Sequence, residues 1–146
     1  MDDRAHGAAA GAAAAALWLA FDPLLRRVFG TPYSDAAVVS AFVPRGRLRP
    51  VVGLGIHSAN GAAFGYAFAR LGGRGVAQGV AAAVVENALL WPLTAVVERI
   101  HPEVRAGRWP RLFRNPQVFA QATAGHVLFG FLLGALGPRR RPGPGA

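Results

Sequence analysis

Four stretches of this chain, residues 7–28, 50–71, 75–97 and 116–136, each run for about twenty residues with few charges. A hydrocarbon core about 30 Å thick is spanned by roughly twenty helical residues, so each stretch is long enough to cross a bilayer. Backbone amides can be satisfied there only inside a helix or a closed barrel. None of the four alternates polar and apolar residues as barrel strands do. The expected fold is therefore all-α, an integral membrane four-helix bundle in one domain over residues 1–136. Residues 137–146, built of Gly, Pro, Arg and Ala, are expected to be a disordered tail.

The links carry turn and stop signals: Gly30, Pro32 and Pro44 in the first, Gly72 and Gly73 in the second, Pro102 and Pro110 in the third. The second link is so short that helices two and three are expected to form a tight hairpin. Residues 34–43 are apolar but too few to span, which suits a segment lying at the interface or packing over the bundle end. Arg108, Arg111 and Arg114 alternate with Trp109, Leu112 and Phe113, a mix suited to an interfacial anchor.

Hydrophobic residues make up 53% of the chain, yet the mean hydropathy is only +0.31 because so many of them are alanine. Side chains this small let backbones approach one another, so the bundle should be compact. The formal charge is +9, and every basic residue is arginine. Most arginines flank apolar segments, where headgroups lie, and no nucleic-acid motif accompanies them; lipid, not nucleic acid, is the expected partner. The first and third links, counted with the Arg26-Arg27 helix end that leads into the first, hold ten arginines against six elsewhere. The positive-inside rule then puts those links in the cytoplasm and both termini outside. Asp2 and Asp3 stand where a cleavable signal carries positive charge, so the first segment reads as a retained helix. With no cysteine, thiol chemistry and thiolate metal sites are excluded.

An internal match appears at an offset of 69 residues: His57, Gly61 and Gly65 align with His126, Gly130 and Gly134, and Pro23-Leu24 with Pro92-Leu93. The bundle is thus readable as two repeated helical hairpins, the halves related by an axis along the membrane normal. The plainer explanation is that glycines recur by chance and by small-residue packing in a chain with 19 of them.

Residues four apart share a helix face, so Gly53, His57, Gly61 and Gly65 form one stripe with Asn60 beside it. Thr123, His126 and Gly130 form another, and Gly75, Gly79, Ala82, Ala83 and Glu86 a third that ends in a carboxylate. The glycines Gly53, Gly61, Gly65, Gly79, Gly130 and Gly134 are expected to pack helices within one chain or between copies in a homo-oligomer. Glu86, His57 and His126 fall near mid-span. An ionisable group there costs at least ~2.5 kcal/mol on insertion scales, so each should turn inward and find a partner. Asn60, Asn87 and Thr123 lie at similar depth and complete the candidate cluster. Gln121 is the weakest candidate, pointing about 140° away from His126 on an ideal helix.

Three uses of such a cluster compete: an interhelical polar clamp, a proton or small polar ligand path, and a cofactor site in which the histidines hold haem or, with Glu86, a divalent metal. Glycines beside each histidine would leave room for a macrocycle. Asp22 is four before Arg26, a helix-end ion pair; Glu98 and Arg99 read as headgroup-level charges, and His6 and His101 as solvated. Trp18 and Trp91 read as packing residues. No motif of a hydrolase, nucleotide-binding or zincin class is present, so no enzyme is expected.

His57 in a Gly/Ala-rich helix ending near Gly65-Tyr66, Gln78-Gly79 opening the next, Trp91-Pro92-Leu93 near its end and Gly125-His126 in the last make a pattern. Over about ninety residues, helices two to four, it resembles the YagU-like inner-membrane proteins, a family of unknown biochemical function. The resemblance implies a multi-pass plasma-membrane protein with helix-borne histidines, and supplies no substrate, cofactor or catalytic residue. Glu86 is outside that pattern.

Overall fold

The computed structural model describes residues 2–43 and 46–138. The expected tail falls almost wholly on residues 139–146, outside the described residues. Described residues form helices α1 (Asp3–Phe29), α2 (Asp35–Ser40), α3 (Arg49–Arg70), α4 (Gly75–Leu90), α5 (Thr94–Ile100), α6 (Pro102–Arg105) and α7 (Pro116–Leu136), with no strand among them. Three helical stretches are long and apolar enough to cross a membrane: Asp3–Phe29, Gly75–Ile100 and Pro116–Leu136. The 22-residue α3 has the length but is not among them; His57, Ser58 and Asn60 interrupt its apolar run.

Local chemistry sets the ends. Asp2 caps α1 by accepting from the Arg4 amide at 3.3 Å, and Gly30 ends it in the left-handed region at φ 65°. Asn115 caps α7 through the amides of Gln117 and Val118, with Pro116 in the first turn. The expected third span breaks at its Trp91-Pro92-Leu93 step: α4 stops at Leu90, one 3₁₀ turn follows over Trp91–Leu93, and α5 resumes at Thr94. Pro92 has no amide hydrogen to donate the backbone hydrogen bond that a continuous helix needs.

Packing is by pairs. α1 lies antiparallel on α3, Gly7 and Gly11 meeting Gly65 and Gly61; α4 lies antiparallel on α7, Gly75 and Gly79 meeting Gly134 and Gly130. A Cβ on Gly61 would fall 2.5 Å from the Gly11 carbonyl oxygen, and one on Gly130 2.5 Å from that of Gly79. Both crossings therefore require glycine. Gly53 serves a different contact, against Ala36 and Ser40 of α2. The two pairs join through α1 and α7, where the Trp18 ring covers Gly125.

α3 and α4, in contrast, are not packed together. The turn between them is short, as expected, but the tight hairpin is not formed: the helices diverge from Gly72 and Gly73 and leave a groove. Each has spent its glycine face on another partner.

At the far end, α2, α5, α6 and the following loop close over the helices around Tyr33, Leu112, Val118 and Ala122. Residues 34–43 thus pack over the bundle end. The Glu98 carboxylate turns to the protein, accepting from the amides of Leu112 and Phe113 at 3.0 Å and fixing the loop. His101 is not solvated. It is fully buried, stacked on Trp109 at 4.8 Å and edge-on to Phe42. His6 bonds the Leu136 carbonyl at 2.9 Å, joining the start of α1 to the end of α7.

Candidate functional site

The glycine crossings fix the helices closely enough that mid-span side chains from α1, α3, α4 and α7 meet. They surround a cavity of about 180 Å³ whose wall includes Trp18, His57, Asn60, Glu86, His126 and, from α2, Asp35. Four of the six residues expected to form the cluster are brought together. Asn60 stands at the rim, on an exposed part of α3.

Glu86 and His126 form the central pair, Oε2 to Nε2 at 3.2 Å. The other ring nitrogen, Nδ1, lies 2.8 Å from the Ala122 carbonyl oxygen. A carbonyl only accepts, so Nδ1 carries a hydrogen and donates it. The bond to Glu86 then needs a second proton, either on Nε2, giving an imidazolium carboxylate, or on the carboxyl. In both forms the pair holds one proton that can pass between the two residues.

His57 is 92% buried, the complement of its 8% exposure, and its Nε2 has no hydrogen-bond partner. A buried polar atom left unpaired costs about 1–3 kcal/mol, so a ligand, water or proton at this position would recover stability. Trp18 stands between the histidines, edge-on to each ring with centroids 4.9 Å apart in both cases.

Asp35 was not legible as a site residue from sequence: packing of residues 34–43 over the bundle end was an expected option, but nothing in the segment marked its carboxylate as turning to the cavity. Tyr33 donates to its carboxylate at 2.8 Å. Burial pushes the Asp35 carboxyl above its ordinary value, while His126, the Tyr33 hydroxyl and His57 oppose the rise. Burial, then the neighbouring Asp35, holds the Tyr33 hydroxyl well above its own ordinary value. Asp35 is therefore closer to protonation than a free carboxylate.

Two expected site residues are elsewhere. Asn87 donates to Thr123 Oγ1 at 3.0 Å, and Thr123 donates in turn to the Phe119 carbonyl, making an α4–α7 link outside the cavity wall. Gln121 does point away from His126: it donates to the Tyr33 carbonyl at 2.8 Å and accepts from Thr31, tying α7 to the first link. Asp22 pairs with Arg26 at 2.9 Å.

The glycines expected to leave room for a macrocycle beside the histidines are filled by neighbouring backbone, and Trp18 lies between the two imidazoles. Among the described residues, no three of His, Asp and Glu are grouped as metal ligands.

The chain matches no family model, no curated protein and no solved structure.

Proposed function

We propose that this chain is a four-helix plasma-membrane protein whose interhelical cavity handles protons or a small polar ligand. The carrying observation is the cavity itself, whose wall is shared by a histidine with an unpartnered Nε2, a proton-sharing Glu86–His126 pair and the half-buried Asp35. Ionisable groups held at this depth are a costly feature to keep without use. The polar-clamp reading draws its support from Asn87–Thr123, an α4–α7 bond, and from Gln121, which ties α7 to the first link, both away from the cavity. His57 Nε2 adds no such bond. The arginine excess in the first and third links supports a cytoplasmic position for them, and the YagU-like pattern supports the plasma membrane. The paired glycine crossings support a duplicated hairpin. The fourth crossing helix in this reading is α3, which has the length to span, pairs with α1 along its glycine face and carries His57 inside the protein.

Purified protein in liposomes with an entrapped pH dye tests this reading. Glu86→Gln is expected to abolish a pH-driven proton flux, whereas Asn87→Ala lowers stability by roughly 0.6 kcal/mol and leaves the flux intact. Equal flux in the wild type and Glu86→Gln would remove the pair from any proton path.

A further inference from the structure

Where α3 and α4 part, an apolar groove of about 560 Å³ runs between them, lined by Phe68, Leu71, Ala82, Val85 and Leu89. Phe64 and Glu86 belong to the walls of both groove and cavity. Asn60 and Phe64, one helical turn apart on α3, face the same side. The groove thus ends against a carboxylate that also walls the cavity, and the unpartnered His57 lies in that cavity's wall. Val85 and Leu89 are exposed, as groups bordered by lipid would be.

A molecule filling both spaces needs one apolar chain and a compact polar head. The head meets Asp35, Glu86 with the His126 imidazole bonded to its far side, and His57 Nε2, which is an acceptor when the ring carries its hydrogen on Nδ1. An ammonium brings three donors and no acceptor to these three groups. A carboxylate or phosphate would face two carboxyl groups, and a hydroxyl has one hydrogen to offer. We propose that groove and cavity together form the site of a single-chain lipophilic amine, its ammonium among Asp35, Glu86 and His57 and its chain between α3 and α4, reached from within the bilayer. This rests on the cavity being a ligand-handling site, and it names the ligand class.

The test uses the full chain in phosphatidylcholine nanodiscs with radiolabelled decylamine, read by scintillation proximity against empty nanodiscs. Saturable binding is expected, with unlabelled decylamine competing at least about tenfold better than decanol, decanoate or butylamine. Asp35→Asn and the groove-filling Val85→Trp should each weaken binding about tenfold or more with helical content unchanged. Leu54→Trp, on α3 outside the groove, should leave binding as it was. Decanol competing as well as decylamine, or counts no higher than empty nanodiscs, would overturn the assignment. If decylamine fails to bind while Glu86→Gln still abolishes proton flux, the amine site is lost and the proton reading survives. Decylamine binding without any proton flux gives the reverse.

Discussion

The two glycine crossings are built alike and finished differently. In α1, Trp18 follows Gly11 by seven residues; in α4, Glu86 follows Gly79 by the same seven. Each then sits beside the histidine of its partner helix, Trp18 against His57 and Glu86 against His126. The tryptophan reaches on to cover Gly125 and seals α1 to α7. Among the described residues no counterpart seals α4 to α3. One backbone plan thus gives a closed side where the matching residue is a large ring and an open side where it is a carboxylate.

The largest test of this comparison is to wedge each crossing in turn. Gly11→Val and Gly79→Val each place a side chain where carbonyl oxygen already stands, and either should cost about 3 kcal/mol or more. Gly11→Val is expected to be the worse, since α1 holds both α3 and α7 whereas α4 holds only α7. Thermal unfolding in detergent checks the order; equal losses would show that the halves are energetically independent.

Trp18→Ala comes next. The ring is 5% exposed and touches both histidines, so its removal should cost about 3–5 kcal/mol. Glu86→Ala should cost clearly less in the same assay, because its carboxylate is 36% exposed at an open cavity. A reversed order would break the contrast between sealed and open sides.

The smallest effect concerns the cap. Burial, opposed mainly by the Glu103 carboxylate, holds His101 below its ordinary 6.5. The unfolded chain therefore binds more protons than the folded one just below that value, and folding stability rises with pH across the window. The contribution is complete above pH 6.5 and is lost as pH falls through 6.5 towards the folded value. His101→Phe keeps the stack on Trp109 and should flatten the acid side of a stability–pH curve; an unchanged slope would place the effect elsewhere.

The inward turn of Glu86 and His126 was legible because an ionisable group at mid-span has few other places to go. The glycine stripes were legible as packing faces, though not which stripe meets which. Hairpin proximity favoured α3 with α4, yet α3 pairs back with α1 and α4 pairs onward with α7. That choice is made by complementary backbone approach, which no single segment carries. His101 looked solvated for a similar reason: a loop histidine is buried only if the surrounding loops close over it, and here Trp109 and Phe42 do so.

The amino-acid sequence by itself determined that this polypeptide is helical, with apolar runs of bilayer length and a few titratable groups within them, because hydrogen bonding in hydrocarbon leaves the backbone little choice. Tertiary structure alone decided that Asp35 joins those groups and that Asn87 and Thr123 do not. It also decided that the α3–α4 side stays open. Those outcomes depend on how far helices approach and rotate about one another, a property of pairs of surfaces rather than of either sequence segment.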